Sequence, residues 1–122
     1  MDTEPSMTFA AFCKDAWFSA WVKAAPRSKL TLYVRRTPSL FRETHGHFQI
    51  ANIFNPNPGE GELKKFLDTY EPQYAFLVEN VYNPRLAQFF IKRSYTVRRN
   101  GMEDIAPSLL GPGAKLGYAT RV

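Results

Sequence analysis

The sequence predicts a mixed α/β (α+β) fold, a single sheet with helices on both faces. Three observations carry this prediction. Residues 30–36 and 47–55 alternate apolar and polar side chains as half-buried strands do. Residues 62–69 and 84–93 repeat apolar side chains at i, i+3, i+4, the helical spacing. Between these helices, residues 74–81 form a mostly apolar run that suits a strand covered on both faces.

Taken in order, residues 1–7 read as a disordered lead. Residues 8–25 read as a helix, capped by Thr8 and stopped by Pro26. Its apolar stripe of Phe9, Phe12, Cys13, Ala16, Trp17, Ala20 and Trp21 is wide enough for deep burial or for a partner surface. Leu30, Leu32 and Val34 alternate with Thr31, Tyr33 and Arg35 in the first strand. Residues 40–43 are a short strand or an open loop. In the strand 47–55, strict alternation puts Phe48, Ile50 and Asn52 on one face and Gln49, Ala51 and Ile53 on the other. Pro56, Pro58, Gly59 and Gly61 then form a turn, and Leu63, Phe66 and Leu67 mark the apolar side of the following helix. Asn83 caps the next helix, with Pro84 in its first turn. Residues 94–99 make a further strand. Residues 103–122 are an irregular tail or a last strand.

The 122 residues suit one domain, 1–122, which buries about two-thirds of its unfolded surface. One cysteine, Cys13, allows no internal disulfide and fits a reducing, cytoplasmic setting. The acidic start is unlike a signal peptide, and no apolar run approaches the ~20 residues of a membrane span. The formal charge of +5 favours anionic partners without choosing among them. Lys92, Arg93, Arg98 and Arg99 are the densest basic cluster. Stacking aromatics are not interleaved with it, which argues against a nucleic-acid patch there.

The turn at 56–61 is the main functional signal. A glycine turn that opens a helix presents free N–H groups at the positive end of the helix dipole, a setting suited to phosphate. Gly59 and Gly61 let a ligand approach the backbone closely.

Residues 50–53 (IANI), Gly59-Glu60-Gly61, Phe66-Leu67, residues 78–81 (VENV), Asn83, Arg85-Leu86 and Tyr95 together resemble the GNAT N-acetyltransferase superfamily, in particular small bacteriophage-encoded members. The resemblance covers residues 30–98 and implies a mixed, mostly antiparallel sheet with a cofactor cleft between two splayed central strands. It implies acetyl-CoA as co-substrate, no metal, and a primary amine of a protein or small molecule as acceptor. Backbone groups of Ile53, Phe54 and Asn55 would meet the pantetheine arm. The N–H groups of Gly59, Glu60, Gly61, Glu62 and Leu63 would hold the pyrophosphate, and Asn83 would contact the cofactor. Pro58 stands where the family usually has Arg or Gln, Leu63 where a small residue is usual, Phe90 where many members place a tyrosine acid and Ser94 where Gly is usual, and Glu60 and Glu62 bring negative charge close to the phosphate site. Pro58, Glu60, Glu62 and Phe90, with the aromatic first helix, support an alternative, a degenerate GNAT fold that binds a host protein through Phe9, Phe12, Trp17 and Trp21. A homodimer is a further expectation.

Acetyl transfer to an amine needs a base for the ammonium and, optionally, an acid for the thiolate. Glu79, on the strand after the turn, is the expected base, and Tyr95 the expected acid, with Tyr82 as its rival. His45 and His47 have a suitable intrinsic pKa but read as surface residues, and the pair is too short a motif for a metal. Asn52 and Gln49 orient water at most, and Cys13 reads as a buried small side chain.

Overall fold

The structure is a computed structural model. It describes residues 5–15, 17–42, 46–79, 81, 83–95, 97–99 and 115–120, the last two segments by their backbone course. The chain is an α+β fold built on a mixed sheet. Helix α1 (Phe9–Lys14) leads into strands β1 (Ser19–Lys23) and β2 (Thr31–Arg36), a 3-10 turn (Ser39–Phe41) and strand β3 (Phe48–Phe54). Helix α2 (Glu62–Tyr70), strand β4 (Phe76–Glu79), helix α3 (Pro84–Lys92) and the short strands β5 (Val97–Arg99) and β6 (Lys115–Thr120) follow. Strands β1 to β4 lie side by side in chain order, extended by β6 and then β5.

The expected helix over 8–25 is one helix and one strand. Thr8 does cap it, its hydroxyl accepting from the Ala11 N–H at 3.2 Å. The helix stops at Lys14 because Arg36 of β2 reaches its C-terminal carbonyls, donating to Phe12 O at 2.7 Å and Asp15 O at 2.9 Å. Carbonyls at a helix C-terminus lack the full set of intrahelical partners, and a guanidinium adds a hydrogen bond with charge of the favourable sign, although Phe12 O also accepts the Asp15 N–H at 3.3 Å. The chain then reverses, and SAWVK pairs antiparallel with β2, Trp21 opposite Tyr33. Aromatic and β-branched residues suit a strand as well as a buried helix, so sequence periodicity misassigned this segment. The lead is also tied down before Thr8: the Met7 carbonyl accepts from the Lys23 N–H at 2.8 Å.

Strand β2 matches its expected span, and 40–42 is the loop alternative, opening on the 3-10 turn. Strand β3 does not alternate strictly. Tyr33 pairs with Asn52 but Val34 with Ile50, so Ala51 is an extra residue, a β-bulge. The bulge turns Ile53 to the side of Ile50 and sends Asn52 to the opposite face, correcting the expected grouping of Asn52 with Phe48 and Ile50. Of the five strand pairings, β1–β2 and β2–β3 are antiparallel and β3–β4, β4–β6 and β5–β6 are parallel, so the sheet is not mostly antiparallel. The last-strand reading of the C-terminal segment holds for Lys115–Thr120.

Among the described residues the helices fall on one face, not two. Phe9 of α1 packs edge-on against Phe48 of β3 and against Phe66 and Tyr70 of α2, ring centres 4.7 to 5.2 Å apart. The two crossovers, β3–α2–β4 and β4–α3–β5, advance in one direction across the sheet, which with right-handed connections places α2 and α3 together. An ion pair confirms their contact: Arg93 at the end of α3 grips Glu71 at the end of α2 at 2.6 Å. The core between this layer and the sheet holds Phe9, Phe12, Leu32, Val34, Ile50, Leu67, Phe76, Val78 and Phe90, all fully buried. Phe9 and Phe12 are therefore core residues, which removes both from the expected partner surface.

Helix α3 ends in a Schellman motif. The Ser94 N–H donates to Ile91 O at 2.9 Å and the Tyr95 N–H to Phe90 O at 3.0 Å, while Ser94 takes φ +71°. The Tyr95 and Phe90 rings, 5.0 Å apart, supply the apolar contact that accompanies it.

Candidate functional site

The candidate site begins where β3 and β4 part. They run parallel in register through Phe48–Phe76, Gln49–Leu77 and Ile50–Val78, and their pairing ends there. On its other edge β3 stays paired with β2 as far as Phe54 opposite Thr31. Past Ile50, at the bulge of Ala51, β3 continues through Asn52, Ile53 and Phe54 beyond its last described pairing with β4. Glu79 ends β4 one residue beyond the last pair, at the mouth of the fork.

The turn from β3 to α2 follows. Asn55 accepts the Asn57 N–H on its Oδ1 at 3.1 Å, and the Glu60 N–H reaches Asn57 O at 3.4 Å. Gly59 has φ +90° and Gly61 φ +78°, the left-handed region where glycine is favoured, and a Cβ at either would meet open space. Gly61 is the N-cap of α2 and offers no side-chain cap, so the first N–H groups of the helix keep no such partner. Leu63 points into the core, 6% exposed, and its side chain leaves the front of the helix clear. Glu62 is drawn aside: the Ser28 hydroxyl donates to its Oε1, and that same oxygen of Ser28 accepts the Leu30 N–H at 3.0 Å. Glu60 is exposed. A groove of about 300 Å³ runs between the β1–β2 turn and α2, lined by Ala24, Ser28, Glu62, Lys65, Phe66 and Tyr70, and includes none of the fork residues.

The side chains singled out from sequence separate in space. Glu79 accepts from Arg35 Nη2 at 2.9 Å, an ion pair across the sheet between half-exposed side chains. Tyr95 lies elsewhere, in the seam between α2 and α3, 4% exposed, its hydroxyl donating to Glu71 Oε2 at 2.7 Å. Burial, then the hydrogen bond to Glu71 and its negative charge, push the Tyr95 pKa far up. A phenol so engaged is a structural donor to Glu71. Asn83 spends its side-chain oxygen on capping α3, accepting from Arg85 N at 2.8 Å and Leu86 N at 3.4 Å.

Other candidates are also committed. His47 Nδ1 accepts the Ala75 N–H at 2.9 Å, and burial, aided by the charge of Arg42, lowers its pKa. Burial raises the Cys13 pKa against a lowering hydrogen bond with Tyr74 and the charge of Arg36, which keeps it a thiol. Arg93 of the basic cluster is an internal ion-pair partner, bound to Glu71 and, at 2.9 Å, to Asp68. His45, Tyr82 and the side chains of Arg98 and Arg99 lie outside the described residues. Trp17 and Trp21 are 55% and 44% exposed.

Sequence reasoning passed over Arg35 and Glu71. Alternation already placed Arg35 on the outer face of β2, but nothing in the order of residues pointed to Glu79 as its partner across two strands. Among the described residues, no group of three His, Cys, Asp or Glu side chains is placed to hold a metal, and no helix is long and apolar enough to cross a membrane. Comparison with protein-family models, with curated proteins and with solved structures finds no match.

Proposed function

We propose that the protein is an N-acetyltransferase of GNAT type that moves an acetyl group from acetyl-CoA to a primary amine. One observation carries this reading: β3 and β4 part after Ile50–Val78, and β3 runs on from the fork into a glycine turn and an uncapped helix N-terminus. An extended, amide-bearing arm fits beside the open edge of Asn52–Phe54 as an added half-strand does. A pyrophosphate fits the N–H groups and dipole at the start of α2.

Acetyl-CoA supplies the activated acyl group. Glu79, at the fork, receives the proton that the acceptor ammonium must lose before its nitrogen can attack. Arg35 positions that carboxylate through their ion pair. Tyr95 takes no part, and the leaving thiolate, the conjugate base of a thiol with a pKa near ~8.5, takes its proton from water.

Calorimetric titration of acetyl-CoA, with a thermal-shift control, tests the reading. Ligand at 100 times its Kd stabilises the folded state by about 2.7 kcal/mol, a clear rise in Tm. Absence of binding at millimolar acetyl-CoA overturns it.

A further inference from the structure

Helix α2 opens on a carboxylate. Glu62 is its first residue, and the first bond inside the helix runs from the Lys65 N–H to Gly61 O at 3.0 Å. The N–H groups of Glu62, Leu63 and Lys64 lie ahead of that ladder, with no side-chain cap from Gly61. A carboxylate in the first turn is drawn to such groups, because they form the positive end of the helix dipole. Left to itself, Glu62 would take the place proposed for the pyrophosphate.

Ser28 holds it elsewhere, from 34 positions away in the chain. This residue sits in the β1–β2 turn, and its hydroxyl is committed on both sides. The oxygen accepts the Leu30 N–H at 3.0 Å, which fixes the side chain, and the proton goes to Glu62 Oε1. The carboxylate is thereby drawn toward the groove between that turn and α2, which Arg27 and Lys65 also line. Among the described residues Glu62 makes no ion pair with either cation, so the Ser28 hydroxyl is what fixes it.

We infer that Ser28 is a positioning residue of the cofactor site: by holding the Glu62 carboxylate on the groove side, it leaves the start of α2 to the pyrophosphate of acetyl-CoA. The inference rests on the transferase reading, and it removes a conflict at that site, a negative side chain on the turn that receives a negative ligand. Glu60, the other acidic residue of the turn, precedes Gly61 and is exposed, so water and salt screen it. Ser28 acts through Glu62 and takes no part in the chemistry.

Calorimetric titration of acetyl-CoA into the parent protein, Ser28→Ala, Glu62→Gln and the double variant tests it, with urea unfolding to check that each folds. Ser28→Ala is expected to weaken binding about tenfold, since the freed carboxylate competes for the N–H groups and repels the phosphates. Glu62→Gln is expected to tighten binding a few-fold, and in that background Ser28→Ala should add no loss. Amide NMR spectra without ligand give a second readout. Ser28→Ala should move the Leu63 and Lys64 amide signals in the parent background, as the released carboxylate reaches them, and leave them in place in the Glu62→Gln background.

Parent-like affinity of Ser28→Ala overturns the inference and spares the transferase reading. So does a loss that persists in the double variant, which reduces Ser28 to its bond with Leu30, and so do amide signals that stay in place. A parent protein that binds no acetyl-CoA at millimolar concentration overturns both.

Discussion

The Arg36 guanidinium donates to the Phe12 carbonyl at 2.7 Å while its central carbon sits 5.1 Å from the centre of the Phe12 ring. A side chain of β2 thereby closes α1, holds Asp15 O at 2.9 Å and Trp17 O at 3.2 Å, and starts the reversal into β1. Charge-assisted hydrogen bonds of this kind contribute ~1.5–3 kcal/mol each when shielded, less where solvent competes. Arg36→Met is expected to cost about 2–3 kcal/mol in urea unfolding. Arg36→Lys should recover less than half of that, because an ammonium cannot span three carbonyls.

Glu71 joins the ends of α2 and α3. It is 6% exposed and accepts from Arg93 and from Tyr95. Removing one partner of such a pair leaves a charge without compensation, so Glu71→Ala is expected to cost about 2–4 kcal/mol. Asp68 moderates the loss by keeping its own hold on Arg93. Tyr95→Phe should cost about 1 kcal/mol and leave any transferase activity unchanged, whereas a catalytic role for the phenol requires that activity to fall.

Ser94 pays the left-handed penalty at the end of α3, since its φ is +71°. Ser94→Gly is expected to raise stability by about 1 kcal/mol, read as a higher melting temperature.

Stability should fall on the acidic side in two windows. The His47 pKa is depressed, so the unfolded chain binds its proton first. Its contribution is complete above pH 6.5 and is lost as pH falls from there through the folded value. Asp68 is depressed by hydrogen bonds from Lys64 and Arg93, and its contribution is present above pH 3.8 and lost below. Urea midpoints measured across pH 5 to 7 should decline toward acid in the parent protein and flatten in His47→Asn.

Glu79→Gln should lower kcat by about 100-fold or more with little change in acetyl-CoA affinity, the expected loss of a general base. An unchanged kcat assigns Glu79 to the Arg35 ion pair alone.

Segments with a single periodicity were legible in the sequence: β2, α2, β4 and α3, with Asn83 capping and Pro84 opening the last of these. The segment from Trp17 to Val22 was not, because its residues satisfy both helical and strand patterns and Arg36, 14 positions beyond, chooses between them. The bulge at Ala51 was equally hidden, since register is a property of two strands and not of one.

The functional reading divides along the same line. Residue order alone determined the glycine turn, the helix it opens and the acidic residue that follows on the next strand, because each is set by local backbone chemistry. Tertiary structure decided that Phe9 and Phe12 are core, that Tyr95 serves Glu71, that Glu79 has Arg35 beside it, and that Trp21, Tyr33 and Phe54 share one face of the sheet. These are contacts between distant parts of the chain, and only the pairing of strands and the packing of helices brings them together.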